Sequence, residues 1–85
     1  MKNLCRTIIW TACFLELSED DIIDPDSAVK ALEDIAATLQ VATEDEKVAF
    51  IETCAEEADR LTFEAGPEYS KTIDFIRKLP ESIGL

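Results

Sequence analysis

The sequence has no histidine, and only two glycines and three prolines stand among its 85 residues. Without histidine the chain lacks the usual general base, the usual proton shuttle and the commonest metal ligand. Cys–His and Ser–His nucleophile systems are ruled out with it. Gly66 and Gly84 are too few and too far apart to form a P-loop or a dinucleotide-binding loop. The cysteines at 5, 13 and 54 form no CxxC pair and do not match zinc spacing. Asp20, Asp21, Asp24 and Asp26 lack the alternate spacing and central glycine of a calcium loop. No catalytic set, metal site or cofactor is therefore expected. An acid/base pair of carboxylates would need one partner buried with a raised pKa. Glu16 and Glu33 come nearest to apolar faces and are expected at helix edges on the surface.

Bases are scarce as well: eight Lys and Arg stand against nineteen Asp and Glu, a net charge of −11. Such a charge repels nucleic acid and anionic membrane, so neither is expected as a partner. It suits a basic protein partner, or it keeps a small protein soluble. The acids are clustered. Residues 16–34 hold eight acids and one base, and residues 43–68 hold nine acids and two bases.

The length allows one domain, residues 1–85. A chain this short buries only ~60–65% of its unfolded surface, so its stability margin is thin. Cys5 and Cys13 lie eight residues apart on one expected helix, about 12 Å along its axis. That is beyond the ~7 Å Cα separation a disulfide can span, so at most one of them could pair with Cys54. All three sit among apolar residues and are read as buried thiols in a reducing cytoplasm. Lys2 and Arg6 precede the apolar run Ile8 to Leu15, which has the length of a signal-peptide core. No small-x-small site follows, and the run is well short of the ~20 residues of a membrane span. It is read as a core helix.

The periodicity predicts an all-α fold, a small antiparallel bundle of about four helices over residues 4–17, 25–39, 44–65 and 68–79. Helix 1 is apolar nearly all round (Leu4, Cys5, Ile8, Ile9, Trp10, Cys13, Phe14, Leu15, Leu17), which predicts burial on every side or contact with another copy. Ile22 and Ile23 in the following connection are expected to fold back onto the core. Helix 2 opens at Asp24 with Pro25 in its first turn. Its inward face is Val29, Leu32, Ile35, Ala36 and Leu39. Thr43-Glu44-Asp45-Glu46 fits a capping box for helix 3, which stops at Gly66-Pro67. The core face of helix 3 is Phe50, Ile51, Cys54, Ala58 and Leu61. Opposite it Asp45, Glu52, Glu56 and Asp59 form an acidic stripe about 21 Å long. Helix 4 turns Tyr69, Ile73, Ile76 and Leu79 inward and ends at Pro80, with Ile83 and Leu85 tucked back.

Asp26-Ser27 at the start of an apolar-periodic helix resembles the acyl carrier proteins, small acidic helical proteins whose serine carries phosphopantetheine. That resemblance implies a prosthetic-group role for Ser27. The chain departs from the family in having Pro25 before the Asp and Ala28 after the Ser, where glycine and leucine are usual. In size, charge and helical character it is also similar to small bacterial immunity proteins that neutralise nuclease toxins, although no motif is shared. Toxins that cut nucleic acid are usually basic, and a compact acidic protein can cover their cationic site. The expected function is therefore non-catalytic binding of a basic protein. The candidate contacts are the stripe Asp45, Glu52, Glu56 and Asp59 and the block Glu19, Asp20, Asp21, Asp24 and Asp26. The alternative is a subunit that self-associates as a homodimer through helix 1, with Trp10 and Phe14 as anchors.

Overall fold

A computed structural model describes residues 1–85. It contains four α-helices: α1 (Lys2–Leu17), α2 (Pro25–Gln40), α3 (Glu44–Glu64) and α4 (Ser70–Ser82). A single 3₁₀ turn, Pro67–Tyr69, leads into α4, and there is no strand. The fold is all-α, and the helices fall where the apolar periodicity puts them, within two or three residues.

The helix starts are built as the sequence indicates. The Asp24 carboxylate accepts from the Ser27 N–H at 2.9 Å, and Pro25 occupies the first turn, where its missing N–H costs nothing. At α3 the Thr43 hydroxyl accepts from the Glu46 N–H at 3.1 Å, and the Glu46 carboxylate accepts from the Thr43 N–H at 2.9 Å. This reciprocal pair satisfies two orphan donors.

The end of α4 differs from expectation. Pro80 does not stop the helix, which runs on to Ser82 with the proline inside. In the last turn the ring removes only one backbone hydrogen bond. The carbonyls around it are still used: Leu79 accepts from the Ile83 N–H at 3.1 Å and Pro80 from the Leu85 N–H at 2.9 Å. Gly84, at φ +83°, makes the left-handed turn that closes the end. Ile83 is buried and Leu85 partly so, and Gln40 Nε2 donates to the Ile83 carbonyl at 2.7 Å, fastening the tail to the end of α2.

α1 is the central element. It packs on α2, α3 and α4, whereas α2 makes its main contact with α1. The core is one cluster formed by Cys5, Ile9, Ala12 and Cys13 of α1, Leu39 of α2, Phe50, Cys54, Ala58 and Leu61 of α3, Ile76 and Leu79 of α4, and Ile83. α1 is nevertheless not buried on every side: Leu4 and Phe14 stay more than half exposed, because its neighbours cover only part of its circumference. Three other residues expected inward, Val29, Ile51 and Tyr69, are also exposed, as is Ile22, while Ile23 is half-buried. No helix is long and apolar enough to cross a membrane.

All three cysteines are buried and unpaired. Burial, together with the nearby Glu57 charge, pushes the Cys13 thiol up to about 11. Burial pushes Cys54 up to about 12, with a lesser contribution from Cys5 and Cys13. The thiolate is the reactive form. A disulfide-exchange reagent at mildly alkaline pH is therefore expected to leave these thiols untouched in the native protein and to modify all of them in denaturant. Fast labelling of the native protein would contradict the burial.

Candidate functional site

The four acids Asp45, Glu52, Glu56 and Asp59 fall on one outward side of α3, and all are exposed. The neighbouring helices partly neutralise this stripe. Lys2 of α1 lies 3.1 Å from Glu56, and Arg77 of α4 lies 3.1 Å from Asp59 and also reaches the Thr62 hydroxyl at 3.3 Å. Asp45 and Glu52 have no cation within salt-bridge distance. Both ion pairs are solvent-exposed, and such pairs are individually weak and open to exchange.

In the α1–α2 connection Glu19, Asp20 and Asp21 are exposed and without cationic partners, and so is Asp26 in the first turn of α2. Asp24 differs from them because its carboxylate accepts from both the Ser27 N–H and the Ser27 hydroxyl at 2.9 Å. Those bonds, the backbone one foremost, hold it below the usual carboxylate range. Ser27 accordingly spends its hydroxyl on the helix start. The loop lies at the start of α2 and the stripe begins just past its end, about 24 Å along the helix. α3 packs on α1 and α4 rather than alongside α2.

The carboxylate that the fold singles out is one the sequence reading passed over. Glu16 and Glu33 are at the surface, as expected, but Glu57 is buried at 1% exposure. It is fully partnered. Arg60 grips it with Nε to Oε1 at 3.0 Å and Nη2 to Oε2 at 3.1 Å. Arg6 of α1 brings its Nε to 3.2 Å from Oε1, and the Trp10 indole donates to Oε2 at 2.9 Å. Arg60 is held in turn by Glu64 at 2.9 Å. The Arg60 hydrogen bonds, with Trp10 and the two guanidinium charges, hold the Glu57 carboxyl below its usual range, even though burial opposes them. The same bonds raise the Arg60 guanidinium. These bonds favour the charged form of Glu57 and tie α1 to α3. One signal could have found it: Phe50, Cys54, Glu57 and Leu61 recur at spacings of four, three and four, so Glu57 lies on the core stripe.

No family model, curated protein or solved structure matches the chain.

Of the two proposed anchors on α1, Trp10 is partly buried with its N–H engaged by Glu57, and Phe14 is exposed.

Proposed function

We propose that this is a non-catalytic protein-binding domain that captures a basic protein on its acidic surfaces, as an inhibitor or immunity-type protein does to a cationic toxin. The observation that carries this reading is the distribution of ion pairs. Lys2, Arg6, Lys30, Lys47, Arg60 and Arg77 are all engaged by carboxylates within the chain. Glu19, Asp20, Asp21, Asp26, Asp45 and Glu52 meanwhile face solvent with no cation near them. Six of the eight cations are thus occupied within the chain, which leaves the acid excess unneutralised. A field of that sign draws in a basic protein and speeds encounter. Asp24 supports the surface as a helix cap, and Glu56 and Asp59 can exchange their exposed partners for those of an incoming protein.

Immobilised protein is expected to retain a basic protein from its source cells at low ionic strength and to release it at high ionic strength, because exposed charges are screened within ~8–10 Å. With that protein purified, Asp45→Lys/Glu52→Lys or Asp20→Lys/Asp21→Lys should weaken binding by roughly tenfold or more on the surface that is used. If both charge-reversed variants bind as tightly as the native chain, the reading fails.

A further inference from the structure

The single tryptophan and the single tyrosine of the chain border the same pocket, and a carboxylate without a partner stands beside them. The pocket lies where α3 gives way to the 3₁₀ turn. It measures about 520 Å³, opens to solvent, and is lined by Trp10, Arg60, Glu64, Gly66, Glu68 and Tyr69. Trp10 turns its N–H to the buried Glu57 at 2.9 Å, so what it offers the pocket is the carbon surface of the ring. Tyr69 is 40% exposed. Glu68 is exposed, and no Lys or Arg pairs with it. Its carboxylate lies against Gly66, whose φ of −86° suits any residue. A Cβ there would stand 2.5 Å from the Glu68 Oε2, so the missing side chain leaves room for the carboxylate.

We propose that this pocket takes an arginine side chain of the basic partner. The charge count supports a cation. Arg60 lines the pocket, but its Nε and Nη2 donate to Glu57 at 3.0 and 3.1 Å and its Nη1 to Glu64 at 2.9 Å. Arg6 is paired with Glu57 as well. Two guanidinium groups thus face the carboxylates of Glu57, Glu64 and Glu68, which leaves one negative charge over. The unpaired Lys71 and Lys78 line a different cleft, between α2 and α4. The walls favour arginine over lysine. A guanidinium is planar and weakly hydrated, stacks on an aromatic face and meets a carboxylate with two parallel N–H bonds. A lysine ammonium is strongly hydrated and keeps its water in so open a pocket. An arginine between aromatic rings is also the kind of contact that carries much of an interface's energy. The source of the arginine rests on the reading of a basic partner, whereas Trp10, Glu68 and Tyr69 belong to neither acidic surface assigned above.

The test needs no partner. Arginine capped as its Nα-acetyl methylamide is titrated at neutral pH and constant ionic strength, read by Trp10 emission and by NMR shifts. Capped citrulline, its neutral isostere, is the control. Capped arginine is expected to give a saturable change in the millimolar range, with shifts centred on Trp10, Glu68 and Tyr69, and capped citrulline none. Glu68→Gln and Tyr69→Leu, checked for native helical content by circular dichroism, are each expected to weaken binding about fivefold. The Asp45→Lys/Glu52→Lys variant should bind capped arginine as the native chain does. No saturable change, an equal response to citrulline, or unchanged binding by Glu68→Gln and Tyr69→Leu overturns the proposal. So does lysine, capped in the same way, binding as tightly as arginine, or loss of binding in Asp45→Lys/Glu52→Lys, which would reduce the effect to overall charge. Free arginine binding tenfold more tightly than the capped form would give the pocket to a small guanidino compound and equally overturn it. Failure here leaves capture of a basic protein on the acidic surfaces standing, and failure of that capture leaves this titration unaffected.

Discussion

Replacing Phe50 by alanine is expected to remove about 3–5 kcal/mol of stability, the largest loss from any single side chain here. Phe50 is the bulkiest of the fully buried residues. It projects from α3 into the cleft bordered by Cys5 and Ile8 of α1 and by Leu39 and Ala42 at the end of α2. Truncation there removes apolar surface and leaves a void that two separate segments would have to move to fill. A chain of this length has roughly 4–13 kcal/mol of stability in total, so the variant should unfold at a much lower urea midpoint with an unchanged slope. Phe63 is the natural control. It lies on the same helix but is 89% exposed, and Phe63→Ala should stay within about 0.5 kcal/mol of the native chain. Equal midpoints for the two variants would show that Phe50 is not the keystone of the core.

The second large effect concerns Glu57. Glu57→Ala leaves Arg6 and Arg60 without their shared carboxylate and the Trp10 indole without its acceptor. Breaking a fully buried pair costs about 3–5 kcal/mol. The Arg6 and Arg60 side chains are, however, 44% and 40% exposed and can turn to water, which lowers the expected loss to about 2 kcal/mol. Glu57→Leu, which fills the same space, should recover part of that loss. The pH dependence has a definite sign. The folded protein holds Glu57 below the unfolded carboxyl value, so its contribution is complete above that value (~4.3) and fades as pH falls through the lower folded one. The stability gap between the native chain and Glu57→Ala should accordingly be constant near neutrality and shrink below pH ~4. Trp10, the only tryptophan, touches the carboxylate directly, so its emission reports the same protonation. A gap that persists unchanged into acid would mean that Glu57 acts by packing alone.

The elements were legible in the sequence because their signals are local. The Asp24-Pro25 start, the Thr43–Glu46 box and the Gly66-Pro67 break are settled within four residues of chain. Faces were legible only where partners cover the whole apolar arc. Val29 and Leu17 read as inward residues from periodicity, but they face a groove that no element of this chain fills. Pro80 misled because a proline rule for helix interiors says little about a last turn whose carbonyls find other donors. Glu57 was hidden by composition: among so many acids, the one with two arginines and an indole around it differs only by its place on the core stripe. Arg6 and Trp10 come from a helix some fifty residues earlier, and sequence spacing alone does not bring them to it. The acidic stripe was read correctly as a face, yet Lys2 and Arg77 reach it from helices whose position beside α3 only the fold reveals.

The way α2 is mounted has a consequence for how the molecule opens. α2 rests on α1; it buries only Ala28 and Leu39 fully and packs Leu32, Ile35 and Ala36 partly buried against the central cluster, which α1, α3, α4 and Ile83 otherwise supply. Detaching it leaves α1, α3 and α4 packed on one another, with Glu57 still tying α1 to α3. α2 is therefore the unit that undocks first, by a sub-global opening well below the cost of unfolding the whole chain. The Gln40–Ile83 hydrogen bond serves as its clasp, and the chain has a ready route to a three-helix form in which the α2-facing side of α1 is uncovered.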